Sequence, residues 1–176
     1  VDGAVSYGVS LKDADVDSVS LEDADVDSVS LEDADVDGSV SLEDADVDGS
    51  VSFVDADVVR IIIENSYIND RLSFNQTAAE DCHLRNSIVG DDINLSEITL
   101  TGGLYIGYHN DNDDDSIDPV VTGGVVTLED ATIEGECHLC CVPDHPAVGA
   151  VVIDDATIES GRFHHIERDT RDTVGY

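Results

Sequence analysis

Between residues 9 and 59 the chain is nearly one phrase repeated: VSLKDADVDS, VSLEDADVDS, VSLEDADVDGS, VSLEDADVDGS and VSFVDADVV. Apolar residues come in pairs two apart, and the pairs restart every five residues: Val9 and Leu11, Ala14 and Val16, Val19 and Leu21, Ala24 and Val26. Spacing of two puts both members of a pair on one face of an extended segment. The restart means that the chain turns a corner after each short strand. A chain that keeps turning while burying one face is a solenoid, whose coils stack on their neighbours and share one continuous core.

The unit resembles that of the pentapeptide-repeat family, which reads Ala, Asp or Asn, Leu, then two free positions. Ala14-Asp15-Val16-Asp17-Ser18 and Val19-Ser20-Leu21-Glu22-Asp23 are consecutive units, and the match runs through Ser66-Tyr67-Ile68-Asn69-Asp70. It returns at Cys82-His83-Leu84-Arg85-Asn86, Ser87-Ile88-Val89, Ile93-Asn94-Leu95, Ile98-Thr99-Leu100, Val126-Thr127-Leu128, Ala131-Thr132-Ile133, Val151-Val152-Ile153 and Ala156-Thr157-Ile158. The resemblance implies an all-β fold, a right-handed, four-sided β-helix with four units per coil. Two departures are expected to show. Ser39 and Ser50 are extra residues that must bulge at corners, and the irregular stretch 71–79 is a candidate interruption.

By length the 176 residues make a single solenoid domain. Residues 1–70 form regular repeats, and 71–103 form less regular coils with a register shift around Asp92. Residues 104–176 form coils carrying two loop insertions, at 104–124 and 140–150. No stretch has the apolar length of a membrane span and no signal-peptide pattern opens the chain, so no membrane insertion is expected. Aromatic residues make up only 5%, which suits a narrow interior and disfavours a broad ligand cavity.

The charge is extreme, 41 acids against 7 bases for a net of −34, and Lys12 is the one lysine. Such a balance ordinarily suggests disorder or a basic partner, but the periodic apolar positions exclude disorder for most of the chain. Stacked coils lie about 4.8 Å apart. Residues four units apart, such as Asp15 and Asp35, should therefore meet, with a repulsion of about 0.9 kcal/mol in water. At 1 M salt a Debye length of about 3 Å removes most of it. Acids spread over every unit, with lysine nearly absent, point to a salt-loving source.

Cys137, His138, Cys140, Cys141 and His145 form the one constellation suited to soft-ligand chemistry. Cys137, Cys140, Cys141 and His145 make a set that could hold tetrahedral zinc. The alternatives are a disulfide and unliganded thiols, since Cys137 and Cys82 both occupy the small inward position of a unit and read as fillers in place of Ala. The run Asp111 to Asp115 offers hard oxygens for loosely held cations without the pattern of a calcium loop. No nucleophile elbow, phosphate loop or dinucleotide fingerprint occurs, and no carboxylate pair stands out, so no catalytic residues and no enzyme are expected.

Val54, Val59, Ile62 and Tyr67 break the polar-outside rule and read as an interface. The competing reading is that the 104–124 insertion, with Tyr105, Ile106 and Tyr108, folds over them. The composition as a whole suggests a structural or assembly protein: a rigid acidic rod that associates with itself or with other subunits, with no direct contact to nucleic acid. A fibre, cell-surface layer or virion of a high-salt organism suits it better than the cytoplasm. The alternative, drawn from the resemblance, is a DNA-mimicking module acting on a type II topoisomerase such as gyrase.

Overall fold

A computed structural model describes residues 7–107, 120–139, 141–143 and 151–163, with side chains left undescribed at 121, 141–143 and 161–163. These residues form an all-β solenoid of about six turns, with no helix among them. Val9, Val29, Val51, Leu72, Ile93, Val126 and Val151 follow one another as register partners on one side. The differences between successive members make coils of 20, 22, 21, 21, 33 and 25 residues.

Each coil has four sides, every one with an inward pair flanking an outward residue. In the second coil the pairs are Val29 and Leu31, Ala34 and Val36, Val40 and Leu42, Ala45 and Val47, all at most 3% exposed. The first side is a seven-stranded parallel sheet and the fourth a six-stranded one. The second and third share a nine-stranded sheet, because strands such as Asp35–Glu43, Asp57–Glu64, Ala78–Arg85 and Thr132–Leu139 run on around the corner. The core is a single apolar column, with Phe53 stacked on Phe74 at 5.0 Å between ring centroids. Polar residues at small inward positions are satisfied. Ser66 Oγ donates to the Leu42 carbonyl (2.7 Å) and Thr77 Oγ1 to the Phe53 carbonyl (2.6 Å).

Alternate corners share one device. The residue two after the second inward member adopts positive φ, from Asp13 (55°) and Asp23 (54°) through Asn65 (53°) to Asp155 (49°). On the first-to-second corner the chain closes a tight turn, with Ala34 N donating to the Leu31 carbonyl at 3.1 Å and Ala56 N to that of Phe53 at 3.0 Å. Asp and Asn tolerate this left-handed region better than other side chains. Many of the recurring aspartates are therefore turn residues, whatever their charge does.

The irregularities lie elsewhere than the sequence suggests. Ser39 does bulge, shifting the register between Val36 and Ser39 against the next coil. Ser50 widens the fourth-to-first corner, and the following corners, 69–71 and 90–92, keep that width, so the shift expected around Asp92 is already present at Ser50. Gly38 and Gly49 sit at these wide corners, where a Cβ would lie 2.5 Å from the Asp17 carbonyl oxygen and 2.7 Å from that of Asp27. Residues 71–79 do not interrupt the helix. Leu72 and Phe74 point inward, and Thr77 takes the place that Ala56 holds one coil earlier.

Both insertions are narrower than expected. Leu104–Ile106 and Val120–Thr122 are strands of the solenoid, which leaves 108–119, including Tyr108 and the Asp111 to Asp115 run, outside the described residues. Cys141–Pro143 likewise pairs with Val120–Thr122.

The turn device separates two neighbouring acids. Asp55 has φ 57°, whereas Asp57 opens a strand and points outward. Asp55→Val should cost about 1–2 kcal/mol for forcing a β-branched residue into the left-handed region. Asp57→Val should change stability by less than about 0.5 kcal/mol. Chemical denaturation at fixed salt measures both, and equal effects would remove the turn role assigned to Asp55.

Candidate functional site

In-register stacking sorts outward residues into columns running along the rod. The second side carries Asp15, Asp35 and Asp57, then Ala78, Thr99, Thr132 and Thr157. The fourth carries Asp25 and Asp46, then Tyr67 and Ile88. The third carries Ser20 and Ser41, then Ile62, His83, Tyr105 and His138. After Asp57 the second side carries Ala and Thr, while aromatic, imidazole and apolar residues follow the serines of the third side and the aspartates of the fourth.

On the third side the rings stack along the axis. His83 lies 4.7 Å from Tyr105 between centroids at an interplanar angle of 17°, and Tyr105 lies 5.3 Å from His138 at 25°. The coil repeat sets this spacing, so the stack needs only an aromatic side chain at the same position in consecutive coils. Glu136 Oε2 lies 3.1 Å from His138 Nε2. Around Ile62 and His83 an open depression of about 370 Å³ is lined by Arg60, Ile62, Asp81, His83, Arg85 and Tyr105. Arg60 reaches Asp81 at 3.4 Å, and Arg85 reaches Glu64 at 2.7 Å. Burial of the imidazole holds His83 below its ordinary 6.5, against the opposing pull of Asp81 and with help from Arg85 and Arg60.

The four bases with described side chains all span neighbouring coils. Besides the two arginines above, Lys12 meets Glu32 at 3.2 Å and Arg71 meets Asp92 at 3.5 Å. Exposed pairs of this kind are individually weak.

The four residues read as an interface do not form one patch. All belong to one coil, but Val54 lies at its first corner, Val59 at the second, Ile62 on the third side and Tyr67 on the fourth. Val59 and Tyr67 are 42% and 41% exposed, while Ile62 and Val54 are half-buried. The structure joins Ile62 to His83 and Tyr105, and Tyr67 to Ile88, which is 45% exposed. Tyr105 belongs to the next coil but one, not to a loop folded over Ile62. His83, Ile88 and the two arginines do not stand out in the sequence, and Tyr105 and His138 stand out there only in other roles, as a covering loop and as part of the Cys/His cluster. Their alignment depends on offsets of 21, 22 and 33 residues that become visible only once the coils are counted.

Cys137 faces the core with no exposure, and burial pushes its thiol up to about 11. Cys82 is buried likewise, its thiol also shifted upward, and Leu104 lies between the two in register. Both fill small inward positions. Cys140 and His145 lie outside the described residues, as does the side chain of Cys141. Among the described residues no group of three or more His, Cys, Asp or Glu is arranged to hold a metal ion. In comparisons with known proteins, no family model matches the chain, and no curated protein or solved structure matches it.

The lowered His83 proton affinity gives a pH signature. Above the ordinary 6.5 both folded and unfolded states carry neutral His83, so its contribution is constant. As pH falls through 6.5 the unfolded state takes up the proton first, and stability declines until the folded imidazole is protonated too. NMR titration should place His83 below a free histidine, and the stability lost between about pH 7 and 5 should shrink in His83→Gln. An unshifted His83 titration would mean that the ring is not held as described.

Proposed function

We propose that this chain is a non-enzymatic structural or assembly protein of pentapeptide-repeat type. It is a rigid acidic rod that associates with copies of itself or with other subunits in a high-salt setting. The observation that carries the reading is the change of surface along the rod: on the fourth side Asp25 and Asp46 give way to Tyr67 and Ile88, and on the neighbouring third side Ser20 and Ser41 give way to Ile62, His83 and Tyr105. A surface that gains aromatic and apolar side chains on two adjacent sides suits contact with another protein. The depression around Ile62 and His83 is open, which suits a docking side chain better than an enclosed small substrate.

The same columns weigh against imitation of DNA. A duplex presents a charge about every 1.7 Å over its whole length, whereas Asp25 and Asp46 form a column of two and Asp15, Asp35 and Asp57 one of three. A high-salt habitat accounts for the acids without any such partner, because stacked acids such as Asp15 and Asp35 repel in dilute solution.

Two measurements test this reading. Circular dichroism should show β structure above about 1 M KCl and lose it in dilute buffer. Full stability at low salt without divalent cations would overturn the high-salt assignment. Ile62→Asp tests the strip. Ile62 stands between inward Ile61 and Ile63, both fully buried, so its side chain adds little to the interior. Covering it could contribute about 1.5–3 kcal/mol per chain. The variant should keep its β signal and lose association by light scattering; unchanged association would remove the strip as the contact.

A further inference from the structure

The outward residues of the third side form a grid, with one row per coil. Its two middle rows are Arg60, Ile62, Glu64 and Asp81, His83, Arg85, so that opposite charges stand in register at both edges. Within the chain Arg60 Nη2 reaches Asp81 at 3.4 Å, and Arg85 Nη2 reaches Glu64 at 2.7 Å. A guanidinium has more N–H donors than one such contact uses, so each arginine can hold a second carboxylate. The outer rows differ in bulk. On one flank lie Ser39, Ser41 and Glu43. On the other Tyr105 stands between Gly103 and Gly107, with its ring leaning over Gly103, where a Cβ would collide with it.

We infer that this face docks on the same face of a second copy, with the two rods antiparallel. The two-fold axis lies along the strands, midway between the Arg60 and Asp81 rows. This rests on the reading of the chain as an assembly protein and names the partner of its lateral strip. Such an axis sets each row against the row equally far on its other side, edge over like edge. Arg60 then meets Asp81 of the second copy, and Glu64 meets Arg85 of the second copy. Together with the pairs already present within each chain, every edge becomes a square of charges that alternate in sign.

Between the squares Ile62 covers His83 of the second copy. Burial holds that imidazole below its ordinary 6.5, so at pH 7 no unpaired charge is enclosed under the isoleucine. The outer rows fit by size. Tyr105 faces Ser41 of the second copy, and Glu43 enters the space beside the ring that Gly107 leaves bare.

A parallel pair, with the two-fold axis along the rod, also opposes charges, Arg60 to Glu64 and Asp81 to Arg85. It sets Tyr105 on Tyr105 and glycine on glycine, however, and lays the aspartate-bearing coils of both copies side by side. Antiparallel docking instead brings Asp35 beside Thr99 of the second copy and Asp15 beside Thr132 of the second copy. A patch that meets itself about a two-fold axis closes, so the product is a dimer.

The test uses two charge reversals in the full chain, Glu64→Arg and Arg85→Glu. It is run at the lowest KCl concentration at which the wild-type chain keeps its β signal by circular dichroism. Wild type should weigh as a dimer by light scattering. Each reversal alone sets like charges against each other and should raise the dimer dissociation constant by about tenfold or more. Mixed in equal amounts, the two variants should dimerise again, because each finds the opposite charge on its partner while its own internal pair stays broken. A role of the pair within one chain gives no such rescue. Should either variant lose its β signal, Arg60→Glu mixed with Asp81→Arg makes the same comparison at the other edge, with the same rescue expected. Rescue of Glu64→Arg by Arg60→Glu instead would establish the parallel pair and overturn the inference. A mass that grows past the dimer with concentration would mean contact between unlike surfaces and would overturn it too. Association unchanged by the reversals, or lost and restored by no mixture, would also overturn it, while leaving the lateral strip to stand or fall by Ile62→Asp. A wild-type chain that is monomeric at every salt concentration would overturn both.

Discussion

Backbone hydrogen bonding from coil to coil is the constraint on which everything else in this molecule rests. Because each coil donates to and accepts from the next in register, each residue is set directly over its counterpart one coil away. A favourable choice at one position is repeated at about 4.8 Å, and so is an unfavourable one. The apolar column of the core, the stacked phenylalanines, the acidic columns and the His83–Tyr105–His138 stack all follow from this rule applied to different side chains. Small inward residues leave room for the chain to turn, and where Ser66 or Thr77 replaces alanine a carbonyl of the neighbouring coil takes the hydroxyl.

The same rule makes charge costly. Within one coil the aspartates point to different sides, but stacking lines them up: Asp15 on Asp35 on Asp57, and Asp25 on Asp46. The chain answers in two ways. Its four bases with described side chains all bridge adjacent coils, and the mid-side acids of the second and fourth sides give way to uncharged residues after Asp57 and Asp46. Asp33, Asp44 and Asp55 are also placed by backbone conformation, since each occupies a left-handed corner that a β-branched residue would not tolerate. Part of the acidic composition is therefore set by the turns.

The lateral strip and the first described coil are two places where stacking leaves something over. Along the rod the strip lies where acids give way to rings and apolar groups, beside the corner at which residues 108–119 enter the chain between the third and fourth sides. In the first described coil Leu11, Val16, Val19, Leu21 and Val26 are only partly buried, whereas their counterparts one coil later are buried. Both features belong to the assembled coil rather than to any single repeat.

The local pattern alone determined the solenoid, the inward set and the bulge at Ser39, because a spacing of two within units of five is legible over a few residues and burial of Val, Leu and Ala follows from it. It also marked Cys82 and Cys137 as inward residues. Its failures have one physical cause. The weak stretch 71–79 looked like a break because Thr77 is polar, and only the neighbouring coil's carbonyl shows how a hydroxyl fits there. Leu104–Ile106 and Val120–Thr122 looked like loop because their partners lie 22 and 33 residues back, beyond any local period. Val54, Val59, Ile62 and Tyr67 read as outward residues on consecutive sides of one coil, but the residues of the next coil that join them, His83 on Ile62 and Ile88 on Tyr67, are not legible locally. Which outward residues share a surface depends on the length of every intervening coil, and that length is set only when the coils close on one another.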